Sequence, residues 1–242
     1  MSRLRLQAYL ASCGLGSRRA CEKIIQDGRV SIDGLQAHLG QSVEDGQRVE
    51  VDGKPVKPQE TMRYLVLNKP PGFVSSMADE RDRPIAASLL GPSVPERVYN
   101  VGRLDQWSSG LLLFTNDGSL AKLLIHPSWE VDKEYRVVTD RPIPVEFVQG
   151  FSKGVVVDGI MYRARKVEIL GEKEARIVLV EGKNREIRRV LAHYGIHALA
   201  LRRVRLGPIE LGSLAEGEYR ELAREEVEAL RRYSMKGKGE MR

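Results

Sequence analysis

Leu111-Leu112-Leu113-Phe114 is the most restrictive stretch of this 242-residue chain. Four large apolar residues in a row, closed by the turn signal Asn116-Asp117-Gly118, read as a strand buried in a core. Just before it, in "GRLDQWSSGLLLFTNDG" (residues 102–118), stands Asp105, and the next carboxylate is Asp117 in the turn. Catalysis by paired carboxylates needs two such groups facing one substrate. This stretch offers one in a loop and one in a turn. Asp105 is therefore either a turn residue that caps nearby backbone groups or a carboxylate that acts alone.

Further elements surround that strand. "YLVLNKPPGFVSS" is a short apolar strand, residues 65–67, running into a proline-rich loop, and "RVYNVGRLD" is a strand ending at the Asp105 loop. "SLAKLLIHP" is a helix with Leu120, Leu123 and Leu124 inward, stopped by Pro127. "KEYRVV" and "ARIVLVEG" are strands. In "REIRRVLAHYG" Ile187, Val190, Leu191 and Tyr194 repeat at helical spacing and Gly195 ends the helix. Strands mixed irregularly with helices point to an α+β domain.

The front of the chain is a separate module. Leu6, Tyr9 and Leu10 mark one helix; Ser17 is an N-cap for a second, with Ala20, Ile24 and Ile25 inward and Gly28 at its end. Val30 and Ile32 alternate before the turn Asp33-Gly34, and Val49 and Val51 before Asp52-Gly53. Residues 54–63, with Pro55 and Pro58 and no periodicity, read as a linker. The expected organisation is a front module over 1–53, the linker, a catalytic-size domain over 64–232 and a basic tail over 233–242 without stable structure.

Charge is segregated. The chain is +6 overall; residues 1–30 are +4, residues 181–205 are +5 and residues 234–242 are +2, around an acidic remainder. Such segregation suggests a polyanionic partner. Arg18 and Arg19 in the first turn of a helix oppose its dipole, which fits either a screened surface or a bound phosphate. No apolar run reaches membrane-spanning length and no signal-peptide pattern opens the chain, so a soluble cytoplasmic protein is expected. Cys13 and Cys21 give no disulfide framework. No phosphate-binding loop occurs, Gly14-Leu15-Gly16 lacks the third glycine of a dinucleotide fingerprint, and His193 and His197 flank a helix-ending glycine without other ligands nearby.

Taken in order, the basic helical module, "YLVLNKPPGFV", "GRLDQWSSGLLLFTNDG", "DKEYRV" and "EGKNREIRRVLAHYG" resemble the RNA pseudouridine synthases, in the RsuA/RluB branch, whose type enzymes modify RNA of the small and of the large ribosomal subunit. The resemblance covers roughly residues 2–232. It implies a small N-terminal α-L RNA-binding domain of the ribosomal S-four type. A catalytic domain follows, with a central mixed, largely antiparallel sheet flanked by helices. It also implies isomerisation of uridine to pseudouridine without cofactor or metal, because the bond made offsets the bond broken. The family's single essential aspartate matches Asp105, its base-stacking tyrosine Tyr135 and its active-site arginine Arg188, which would pair with Asp105 in a cleft. Trp107 departs from the family pattern, where a smaller or polar residue is usual.

The target uridine must leave its stack to reach Asp105. Arg103, Trp107 and Ser108 are then candidates to hold flanking nucleotides, with Lys183, Arg185 and Arg189 along the RNA path. Arg18, Arg19, Lys23 and Arg29 would anchor a second RNA segment. The expected partner is ribosomal RNA, of the large subunit or a pre-ribosomal particle, bound by a monomer. Small-subunit or transfer RNA, and a non-catalytic assembly factor that keeps the fold, are the alternatives.

Overall fold

The structure, a computed structural model, describes residues 3–79 and 81–236. The chain divides into two compact units, Met1–Met62 with Pro95–Arg97, and Arg63–Val94 with Val98–Arg242.

In the first unit, helices Leu6–Ser12 and Arg18–Gln26 pack together. Ser17 caps the second helix as its sequence suggests, its Oγ accepting from the Ala20 N–H at 3.1 Å. Leu6, Leu10, Cys21 and Ile25 are buried against Val30, Ile32, Val49 and Val51 of the antiparallel strands Val30–Ile32 and Val49–Val51. Asp33-Gly34 and Asp52-Gly53 both adopt positive φ at both positions, as a tight hairpin turn requires. The second of these turns corrects the linker expectation. It folds the chain straight back, so Lys54 pairs with Val51 and Pro55 with Glu50. Proline is tolerated there because the strand lies at an edge of its sheet. The Gln59 N–H then bonds to the Ser12 carbonyl at 2.9 Å, so the segment belongs to the first unit.

The second unit is built on a sheet with strands in the order Lys166–Gly171, Glu174–Leu179, Lys133–Thr139, Ala198–Leu206, Ser109–Thr115, Tyr64–Lys69, Tyr219–Glu221. Tyr99–Val101 also pairs with Ser109–Thr115. Among the described residues, the pairing of Ala198–Leu206 with Ser109–Thr115 is parallel and the others along this path are antiparallel. This is a mixed, largely antiparallel sheet in an α+β domain.

The apolar run explains the layering. Leu112 and Phe114 face one cluster, with Phe147 and Phe151 of helix Val145–Lys153 and Ile187, Val190 and Leu191 of helix Glu186–His193. Leu111 and Leu113 face the opposite cluster, with Leu120 and Leu124 of helix Gly118–Ile125 and Leu230 of helix Arg224–Lys236. A strand covered on both faces must be apolar at every position. Asp117 closes the strand and caps helix Gly118–Ile125, accepting from the Ser119 and Leu120 N–H groups at 3.0 Å each. Its other oxygen accepts from the Tyr64 hydroxyl at 3.0 Å and pairs with Arg231 of the last helix. That helix starts with Glu225 and Glu226 in its first turn and runs on through Lys236. Residues 233–236, assigned from composition to an unstructured tail, are therefore helical; residues 237–242 lie outside the described residues.

Several parts of this architecture did not show in the sequence, among them strands Lys166–Gly171 and Tyr219–Glu221 and helix Arg224–Lys236. Ala198–Leu206 is a nine-residue strand that carries Arg202, Arg203 and Arg205 into the sheet. Helix Val145–Lys153 supplies Phe147 and Phe151 to the core.

Gly110 sits at the parallel crossing. Its φ is +98°, and a Cβ there would meet the Arg203 carbonyl oxygen at 2.2 Å and the Arg203 nitrogen at 2.8 Å. Gly110→Ala is expected to cost about 3 kcal/mol, from steric overlap and backbone strain together. Urea unfolding measures this; a loss under about 0.5 kcal/mol, the range of ordinary surface substitutions, would show that the two strands can separate freely.

Candidate active site

The Asp105 loop lies between strands Tyr99–Val101 and Ser109–Thr115, at the edge of a cleft of about 510 Å³. Asp105 is half-buried and lines this cleft. Its carboxylate has no hydrogen-bond or ion-pair partner at bonding distance among the described residues, although it feels the positive charges of Lys69 and Arg188. The loop's backbone, by contrast, is tied down at almost every carbonyl. Leu104 exchanges hydrogen bonds with the Ser75 hydroxyl at 3.0 Å. The Gly72 N–H donates to the Gln106 carbonyl at 2.8 Å. Lys69 Nζ donates to the carbonyls of Pro70 and Ser108 at 2.7 Å and of Gln106 at 3.2 Å. The Arg188 guanidinium donates to the Trp107 carbonyl at 2.9 Å and to the Ala198 carbonyl at 3.1 Å.

This geometry revises the expected Asp105–Arg188 ion pair. Arg188 is half-buried at the margin of the apolar face of its helix, as its spacing implies. Its Nη atoms are spent on backbone carbonyls, and its Nε is buried without a partner among the described residues. Arg188 therefore holds the loop that carries Asp105 and acts on the carboxylate through its charge. Burial and the nearby Arg185 push its pKa down, while Asp105 pulls it up.

Lys69 has no exposed surface and was not singled out in the sequence. Burial pushes its pKa down to about 8, against the opposing pull of Asp105 and Glu216. Its signal was a lysine closing the buried strand "YLVLNK" and followed at once by two prolines. A cation there must find partners, and proline lacks the N–H that would compete for the loop carbonyls.

Tyr135 lines the same cleft, on the Lys133–Thr139 strand, so the structure brings Asp105 and Tyr135 to one space. Arg103, Lys183 and Arg185 line it as well. Arg103 and Arg185 are exposed, whereas Lys183 is partly engaged with Glu181 at 2.6 Å and with the Met161 carbonyl at 2.9 Å. Arg185 precedes helix Glu186–His193 with φ +50° and ψ +33°, a left-handed conformation rare for arginine and frequent at functional sites. Arg189 does not line the cleft and pairs with Asp158 at 3.5 Å. Trp107 is 64% exposed and outside the cleft wall. Ser108 lines the cleft and is buried in its wall, and its Oγ has no partner among the described residues. Its carbonyl accepts from Lys69 Nζ at 2.7 Å.

In the first unit Arg18, Arg19 and Lys23 are exposed on helix Arg18–Gln26. Arg29 differs from them. Its guanidinium is already held in a two-bond pair with Asp52, at 2.9 and 2.6 Å, which lowers its availability for a phosphate. Among the described residues no group of histidine, cysteine, aspartate and glutamate is arranged to hold a metal ion.

Three residues of the cleft floor were also missed as site residues: Lys133, Glu186 and Arg203. Glu186 and Arg203 had counted in the basic run 181–205, Glu186 also in a helix, and Lys133 as part of a strand. Lys133 donates to the Val131 and Val180 carbonyls at 2.9 Å, and burial together with Arg203 pushes its pKa down to about 8. Burial pushes the Glu186 carboxyl up, while the Lys183 N–H bonded to it pulls the other way.

Residues 63–193 match the RNA pseudouridylate synthase family, and residues 4–49 match the S4 domain. An RNA pseudouridine synthase of Borreliella burgdorferi is 38% identical, covering 94% of this chain and 93% of that one. The dual-specificity RNA pseudouridine synthase RluF of Escherichia coli K12 is 36% identical over 93% of this chain and 78% of its own. The ribosomal large subunit pseudouridine synthase B of Xanthomonas campestris is 38% identical over 94% of this chain, which spans 49% of that longer protein. A crystal structure of a pseudouridylate synthase superposes with a TM-score of 0.69 at 28% identity, covering 94% of this chain and 99% of the other. The chain belongs to the RNA pseudouridine synthases and carries an S4 domain at its front.

The Lys133 environment makes a pH prediction. Its folded pKa, about 8, lies below the ordinary lysine value of 10.5. Between those values the unfolded chain binds more protons, so Lys133 favours folding increasingly as pH rises through that window. In urea titrations the stability difference between wild type and Lys133→Met should shift toward wild type from pH 8 to pH 10.5. A difference constant with pH would show that Lys133 titrates normally.

Proposed function

We propose that this protein isomerises a specific uridine of ribosomal RNA, in the large subunit, to pseudouridine, with Asp105 as the single essential carboxylate. The observation that carries this reading is one unpaired carboxylate, Asp105, on a backbone-anchored loop, sharing a cleft with Tyr135 and several cations. The reaction breaks the N1–C1′ bond of uridine and makes a C5–C1′ bond. The proton lost from C5 is balanced by one gained at N1, so no external reactant is consumed. One carboxylate, acting as nucleophile or base, is enough, and this resolves why residues 102–118 hold no acid–base pair in the loop.

Tyr135 stacks on the base drawn into the cleft and is placed to assist the departure of the C5 proton. Arg188 and Lys69 keep the Asp105 loop in position and supply positive charge that favours the ionised carboxylate. Arg103 and Trp107, exposed beside the cleft, meet the flanking nucleotides by charge and stacking, and Lys183 and Arg185 continue the RNA path. The helix bearing Arg18, Arg19 and Lys23 anchors a second RNA segment. The name of the Xanthomonas campestris relative supports large-subunit RNA as substrate. We place the activity in the cytoplasm and in a monomer; no helix among the described residues is long and apolar enough to cross a membrane.

The test is to incubate the protein with unmodified ribosomal RNA, of the large and of the small subunit in separate reactions, and to map pseudouridine by chemical-stop sequencing. One new site in large-subunit RNA, absent with folded Asp105→Asn, is the expected result. Modification of small-subunit RNA would reassign the substrate. Tight binding without modification would favour an assembly factor.

Reversing the charges at Arg18 and Arg19 to glutamate should weaken RNA binding about tenfold or more at moderate salt. The salt dependence should also flatten, by about 0.7–0.9 in the logarithmic slope for each phosphate that the variant no longer neutralises. Turnover on saturating RNA should change less. Equal binding by wild type and the reversed variant across a salt series would remove the first unit from RNA recognition.

A further inference from the structure

Three buried polar atoms of residues that line the cleft, Ser108 Oγ, Glu186 Oε1 and Arg203 Nη2, have no partner among the described residues, and the last two belong to charged side chains. Glu186 is 3% exposed and Arg203 is 2% exposed, and both line the cleft. Glu186 uses Oε2 to accept from the Lys183 N–H at 3.2 Å, but Oε1 is unpaired. Arg203 uses Nε to donate to the Leu111 carbonyl at 2.7 Å, but Nη2 is unpaired. A buried polar group without a partner costs about 1–3 kcal/mol, and more when charged, so unmet atoms beside a cleft point to a ligand that completes them.

Their placement narrows what that ligand is. Tyr135 and Arg203 stand directly opposite each other on neighbouring antiparallel strands, so their side chains leave the same face of the sheet. Glu186 and Arg203 line the same cleft as Tyr135 and Lys133, and the charges of both act on Lys133 there. Lys133 is itself occupied by two carbonyls. A phosphate does not suit this part of the cleft, because Glu186 would repel it and the exposed Arg103 and Arg185 offer an easier site. A neutral, planar group that presents a donor beside an acceptor does suit it.

We infer that Glu186 and Arg203 read the edge of the target uracil, Glu186 Oε1 accepting from N3–H and Arg203 Nη2 donating to O4 while Tyr135 covers the ring face. This rests on the uridine reading above and adds a specificity element to that site. Neither atom touches solvent as the site stands, so a small rotation of each side chain accompanies entry of the base. Cytosine presents the reverse pattern, an acceptor at N3 and a donor at C4, and would leave both protein atoms facing like groups. The cation of Arg203 is kept beside the cleft by Gly110, whose missing Cβ lets the Arg203 backbone approach.

The test uses the full chain and an RNA fragment spanning the uridine it modifies, made with uridine, 4-thiouridine or 3-methyluridine at that position. For wild type, 4-thiouridine and 3-methyluridine should each lower kcat/KM by about tenfold or more, since a site built to bond a group rejects the analogue lacking it. These comparisons need no altered protein and so do not depend on a variant folding. Arg203→Met should be slow with uridine and nearly indifferent to the 4-thio change. Glu186→Leu should be nearly indifferent to the 3-methyl change, and Glu186→Gln, which keeps an acceptor oxygen, should retain more discrimination than Glu186→Leu. Wild-type kcat/KM unaffected by either analogue would overturn the inference. So would variants that lose rate but keep the wild-type preference, because that is the signature of a purely structural role. Failure of wild type to modify any ribosomal RNA would sink the uridine reading itself and this inference with it, an outcome distinct from modification without edge discrimination.

Discussion

Lys69 ends the Tyr64–Lys69 strand with an ammonium group that never meets solvent, and its hydrogen bonds to Pro70, Gln106 and Ser108 bind the proline-rich loop to the Asp105 loop. Burying such a cation costs several kcal/mol. Hydrogen bonds to a charged donor each return about 1.5–3 kcal/mol, so three of them are of the size needed to offset that cost. The arrangement holds only while all three carbonyls stay in place. A loop that must supply them has little freedom left, and Arg188 removes more of it by binding the Trp107 carbonyl from the other side. The carboxylate of Asp105 is left without a partner among the described residues, on a backbone that is almost fully committed. That combination suits a group whose partner is to be the substrate.

The sheet makes this possible. The Ser109–Thr115 strand lies between Tyr64–Lys69 and Ala198–Leu206, so the Asp105 loop emerges with Lys69 on one side and Arg203 on the other. The parallel crossing at Gly110 brings the arginine-bearing strand unusually close. Leu111, Leu112, Leu113 and Phe114 anchor the strand in the cores on both faces. The site's precision thus derives from the same apolar run that first constrained the fold. Asp117 at the far end ties that strand to Tyr64 and to the last helix, so the strand is fixed at both ends.

Much of this was legible in the sequence where local chemistry and tertiary packing agree. Ser17 caps its helix, the Asp-Gly pairs make their turns, and Leu111–Phe114 forms a buried strand. Asp105 and Tyr135 share a cleft. The failures have a common physical cause. Lys69, Lys133, Glu186 and Arg203 are charged residues whose burial is decided by partners far away in sequence, and single-sequence patterns assign charges to the surface. The strand Ala198–Leu206 escaped notice because its arginines mask its alternation. Arg29 was expected to face RNA as a basic residue of the front module, but its guanidinium is held by Asp52. Arg188 was expected to reach the carboxylate directly, whereas loop carbonyls compete for the same guanidinium.

The central claim is that buried cations fix the Asp105 loop for chemistry, and the most direct measurement is single-turnover isomerisation by folded Lys69→Met beside its affinity for the same RNA. The account predicts a chemical step at least about tenfold slower, equivalent to about 1.4 kcal/mol of lost transition-state stabilisation, with Kd unchanged within about twofold. A rate equal to that of wild type would contradict it and leave Lys69 a structural residue with no hold on catalysis.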